Sequence, residues 1–156
     1  MGIGELCTRE VVFVGRNESV AEAARLMREH HVGGVVVLDP PEAGGRPLGV
    51  ITDRDIAVGV VALGLDAERT PAEGAMRPGV ATVREDEGVG RAVAVMRSEG
   101  VRRLPVVDAA GRLVGILAAD DLLELFAEEM QGLAGALSRE MRRERKERVL
   151  EPAAGD

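Results

Sequence analysis

Apolar and polar positions along this chain follow one pattern written twice. Val20, Ala23, Ala24 and Met27 fall at i, i+3, i+4 and i+7, which predicts a helix with one buried face. Val89, Ala92, Val93 and Met96 repeat that spacing. Short apolar runs flank each helix, at 11–14, 35–39 and 48–51 in the first half and at 80–83, 104–108 and 113–117 in the second. Runs this short and this unbroken suit buried strands. A second helix is predicted from Asp53 toward Leu63, and its counterpart from Ala119 through Leu122, Leu123, Leu125 and Phe126. The order strand–helix–strand–strand–helix therefore occurs twice, in an α+β fold.

The two copies align residue by residue. Residues 11–39 match 80–108 at an offset of 69, and GVITDRDI (49–56) matches GILAADDL (115–122) at an offset of 66. The loop PPEAGGRPL is three residues longer than AAGRL, which accounts for the change of offset. Repeat one is expected over 5–70, repeat two over 71–130, and a charged helical tail over 131–156. One such unit is too small to bury both faces of its sheet, so the copies are expected to pack on each other with pseudo-two-fold symmetry. Ser19 with Glu22 predicts a capping box for the first helix, while Gly88 gives the second a weaker start.

Composition narrows the function classes. The chain has 156 residues and a net charge of −7, which argues against a general nucleic-acid binder. No run of eighteen apolar residues or signal-peptide pattern appears, so a cytoplasmic protein without a membrane segment is expected. One cysteine and two adjacent histidines, His30 and His31, predict neither a disulfide nor a metal site. No nucleophile–base constellation is present, so catalysis is not expected. The segment 138–151 mixes six basic and four acidic residues, which reads as a solvated helix face.

The candidate chemistry lies where the two phrases differ. Thr52 precedes a predicted helix, and Asp55 stands three residues on, a pairing that suits a helix cap. Arg54 has no such explanation, because the first turn of a helix favours negative charge. An Arg there suits an external anion shared with the helix start. Arg102 and Arg103 form a second basic pair before the strand LPVVD. In the second copy Thr52 becomes Ala118 and Arg54 becomes Asp120, although Asp121 matches Asp55.

The doubled unit, with G-x-x-T-x-x-D at 49–55 and L-P-V-V-D at 104–108, closely resembles the paired CBS domains, named for cystathionine beta-synthase and also called a Bateman module. The resemblance covers about residues 5 to 128. It implies a regulatory, adenosine-nucleotide-sensing module whose ligand lies in a cleft between the repeats and whose conformational change signals to a partner protein. It assigns the ribose to Thr52, Asp55 and, in the second cleft, Asp121, and the phosphate to Arg54, Arg102 and Arg103. Val12, Ile51 and Ala81 are the residues expected against adenine. AMP, ADP or ATP are the leading ligands, with NAD and S-adenosylmethionine as further choices, and no cofactor is required. The resemblance also implies a homodimer formed through the second helices, with Ile56, Val58, Val60 and Val61 in one repeat and Leu122, Leu123, Leu125 and Phe126 in the other, and a regulated protein whose identity the residues do not give. The alternative is a ligand-independent dimeric scaffold, which leaves Arg54, Arg102 and Arg103 without a task.

Overall fold

In a computed structural model, residues 1–77 and 79–150 are described. The chain divides into two units, 1–119 and 120–156. Within the first unit the elements run α1 (Ile3–Leu6), β1 (Phe13–Gly15), α2 (Val20–His30), β2 (Gly34–Asp39), β3 (Arg46–Thr52) and α3 (Asp53–Ile56). They continue with α4 (Ala72–Ala75), β4 (Val83–Arg84), α5 (Val89–Glu99), β5 (Arg103–Val107) and β6 (Leu113–Ala118). A single long helix, α6 (Ala119–Leu150), follows and makes up the described part of the second unit.

Each repeat builds a three-stranded sheet, in the orders β1-β2-β3 and β4-β5-β6. The first pair of each is parallel and the second antiparallel. Val35, Val36, Val37 and Leu38 are all buried, so both faces of β2 are covered, as its unbroken apolar run requires. Helix α2 lays Val20, Ala23 and Met27 onto this sheet. Its cap is half of the expected box. Ser19 Oγ accepts from Glu22 N at 3.1 Å, but the Glu22 carboxylate accepts from Arg25 instead of reaching back.

The leading strands are shorter and later than the apolar runs at 11–14 and 80–83 suggest. Val12 still accepts from Val36 N through its carbonyl, but residues 80–82 make no ladder. Val80 and Ala81, like Val11 and Val12, line clefts instead, which the period of the sequence does not separate from strand burial. The helix predicted from Asp53 begins as α3 and continues as a π-helical stretch, Ala57–Val61, with Ala62 N donating to Ala57 O. Val60 in that stretch is fully buried in the first core, so it cannot serve the dimer surface expected of it, whereas Val58 and Val61 are exposed.

Two short straps exchange between the repeats. Residues 70–76 belong structurally to repeat one: Val20 N donates to Thr70 O, Ala72 N to Glu18 O, and Arg16 pairs with Glu73 at 2.6 Å. Residues 2–8 belong to repeat two, with Ile3 N donating to Glu87 O and Thr8 pairing with Ile116 of β6. The straps explain the repeated glycines. A Cβ on Gly49 would lie 2.6 Å from Met76 Sδ and 3.2 Å from Arg77 O, and one on Gly115 would lie 2.5 Å from Cys7 Sγ and 3.0 Å from Thr8 O. A strand glycine here marks close approach of another backbone.

The β5–β6 hairpin is held by Asp108, whose Oδ1 accepts from Ala110 N and Arg112 N at 2.8 and 3.0 Å. These bonds, with the Arg112 guanidinium on Oδ2, hold the Asp108 carboxyl below its ordinary value.

Candidate functional site

The repeats meet around a cavity of about 260 Å³ in the first unit. Its chemistry begins at the end of β3. Side chains alternate along a strand, so Val50 and Thr52 face the cavity while Ile51 between them is fully buried in the core. At Thr52 the chain turns into α3 through a complete capping box. Thr52 Oγ1 accepts from Asp55 N at 3.1 Å, and Asp55 Oδ2 accepts from Thr52 N at 2.9 Å.

That box spends only part of each side chain. The Thr52 hydroxyl keeps its proton to donate, and Asp55 Oδ1 remains, with Arg77 Nε 3.9 Å away. The Asp55 side chain is 14% exposed and lines the cavity. Capping and ligand contact are therefore compatible, although the sequence presents them as rivals.

The opposite wall comes from repeat two. Arg102 and Arg103 lie at the start of β5, and Val80, Ala81, Val101 and Pro105 supply an apolar surface beside them. Arg103 reaches repeat one across a residue that has no side chain: its Nη2 lies 3.7 Å from where a Cβ on Gly33 would stand, beside the Asp53 carboxylate. Arg54 projects from the first turn of α3. Among the described residues, neither Arg54 nor Arg103 forms an ion pair. Among the described residues, four arginines (54, 77, 102 and 103) thus line the cavity against one carboxylate, in a chain of net charge −7.

Of the residues the sequence singles out, the cavity brings together Thr52, Arg54, Asp55, Ala81, Arg102 and Arg103. It does not include Val12 or Ile51. Val12 lines a separate, more open cleft of about 410 Å³ together with Thr8, Glu10, Val11 and Val32. By the offset of 69, Val12 is the counterpart of Ala81 and Thr8 the counterpart of Arg77, so this second cleft carries part of the repeat-related lining, with Thr8 in the place of Arg77. Asp121 stands in the first turn of α6, in the second unit, and does not line the 260 Å³ cavity. Arg77 escaped the sequence reading because it sits in the joint between repeats. Its alignment with Thr8 is the signal that could have exposed it.

Among the described residues, no helix is long and apolar enough to cross a membrane. Nor do any three His, Cys, Asp or Glu side chains among them stand together in a way that could hold a metal ion.

Two sheets of like topology, related by a repeat and bordering an arginine-lined cleft, define a tandem α+β module. The sequence matches the CBS domain family twice, at residues 3–61 and 72–128, and the chain belongs to that family. An uncharacterized protein of Methanopyrus kandleri is 38% identical over 125 residues, which is 80% of this chain and 62% of that relative's length. Among solved structures, a CBS domain protein of Pyrobaculum aerophilum complexed with AMP has a TM-score of 0.69 and 31% identity, covering 81% of this chain and 99% of that one. The CBS domain pair of protein MJ0100, in complex with 5′-methylthioadenosine and S-adenosyl-L-methionine, has a TM-score of 0.70 and 26% identity, covering 83% and 98%.

Proposed function

We propose that this chain is a regulatory module that binds an adenosine nucleotide in the 260 Å³ cleft and transmits its occupancy to a partner protein. The observation that carries the reading is the convergence of Thr52 and Asp55 from repeat one with Arg102 and Arg103 from repeat two on one cavity. In this reading the Asp55 Oδ1 atom and the Thr52 hydroxyl hold the ribose, the arginines hold phosphate, and the base lies on Val50, Ala81, Val101 and Pro105. Adenosine ligands bound by two structurally similar CBS pairs support the ligand class.

The lining favours a phosphate-bearing mononucleotide. Guanidinium groups pair best with phosphate and carboxylate oxygens, which ranks AMP, ADP and ATP above the sulfonium of S-adenosylmethionine. The cavity is also small beside ligand pockets of about 300–1,000 Å³, which disfavours NAD. A ligand that spans both repeats shifts the module toward whichever arrangement it binds better, and that difference is what a partner reads. The module acts as a homodimer, for which the exposed Val58, Val61, Leu63 and Leu65 offer apolar surface.

Calorimetry with AMP, ADP, ATP, NAD and S-adenosylmethionine tests the reading. One site per chain is expected, with the phosphorylated ligands tightest. Asp55→Asn keeps an oxygen for the Thr52 N–H yet loses the charged acceptor, so affinity is expected to fall about ten- to a hundred-fold with little loss of stability. Binding that is indifferent to Asp55→Asn would sink the site assignment. No binding to any adenosine ligand would favour the scaffold alternative.

A further inference from the structure

The family match ends at residue 128, but α6 continues to Leu150. Along it, Leu123, Phe126, Met130, Leu133 and Leu137 recur at alternating intervals of three and four, the seam of a coiled coil. All five are exposed, from 42% at Phe126 to 72% at Met130. Ala127, Ala134 and the exposed Met141 widen the same stripe. An amphipathic helix draws most of its stability from packing its apolar face, and a 32-residue helix with this period fits a coiled-coil strand.

The charges say which partner fits, and in which direction. Residues 120–129 carry five acidic side chains and no basic one, whereas residues 139–148 carry six basic against three acidic. Such a helix is complementary to itself turned end for end. Parallel pairing would set acidic against acidic and basic against basic, and would align the helix dipoles unfavourably.

We propose that α6 pairs antiparallel with α6 of a second copy of this chain, about a two-fold axis between Leu133 and Ala134. That register sets Met130 against Leu137 of the other copy, and Phe126 against Met141. None of the seam residues lines the 260 Å³ cavity, and the proposal does not depend on the ligand reading.

Cysteine cross-linking of the full chain under mild oxidation tests both partner and direction. The double variant Phe126→Cys/Met141→Cys is expected to form a covalent dimer. Phe126→Cys alone is not, because its two thiols would lie about 22 Å apart along an antiparallel pair, far beyond disulfide reach. Adding Met130→Glu and Leu137→Glu to the double variant is expected to abolish the cross-link while the melting of the first unit is retained. Efficient self-linking of Phe126→Cys alone would overturn the antiparallel direction. A double variant that stays uncrosslinked, with sedimentation unchanged by the two glutamates, would show that a second copy does not cover this face.

Discussion

Asp55 divides its two oxygens between fold and cleft. One oxygen closes the capping box on Thr52 N, and the other lies 3.9 Å from Arg77 Nε in a side chain that lines the cavity. A residue can therefore look like pure local structure in sequence and still be chemically open in the fold. His31 carries the opposite lesson. It ends α2 in the left-handed region, at φ 54°, where the matching residue of repeat two is Gly100 at φ 64°. A side chain there meets steric cost that glycine avoids. His31→Gly is accordingly expected to raise stability by about 1 kcal/mol, read as a higher melting temperature or urea midpoint. A lower midpoint would mean that the imidazole makes a contact worth more than the strain.

At the scale of elements, the two kinds of helix behave differently. Helix α2 is short and capped, and it is held by Val20, Ala23 and Met27 on its sheet, so its pattern in the sequence is also its environment. Helix α6 is long, and from residue 126 to 149 its side chains are exposed. The expectation of a solvated face at 138–151 rests on its charges alone and passes over the apolar stripe from Leu123 to Met141. Gly132 and Gly135 lie inside α6, and a Cβ at either would meet nothing within 4 Å. Glycine in a helix interior costs roughly 0.5–1 kcal/mol relative to alanine. Gly132→Ala and Gly135→Ala are each expected to raise the helical signal in circular dichroism and stabilise α6 by about that amount. Unchanged helicity in the double variant would argue that the glycines serve the geometry of the helix.

On the scale of the whole molecule, a chain of net charge −7 concentrates four arginines around one small cavity. Because the proposed ligand is anionic and the arginine side chains are partly solvent-facing, its affinity is expected to fall as salt rises from about 0.01 to 0.15 M, where the screening length shrinks from about 30 to 8 Å. Adenosine, which has no phosphate, is expected to show almost no such slope in the same titration. Equal slopes would remove the arginines from the phosphate role. The linear order of residues determined the doubled unit, the strand and helix types and the cap at Thr52, because periodicity and capping act over a few neighbours. It also marked Arg54, Arg102 and Arg103, since their charge conflicts with their local setting. Only the tertiary structure decided which of these share a cavity. Strand alternation turned Ile51 into the core and Val50 toward the cleft, and the crossed repeats gave Ala81 to one cleft and Val12 to the other. The exchange of straps carried Arg77 to Asp55 and set glycine at 49 and 115 beneath them. Those outcomes depend on contacts between residues far apart in the chain, and such contacts leave no periodic trace in the sequence around either partner.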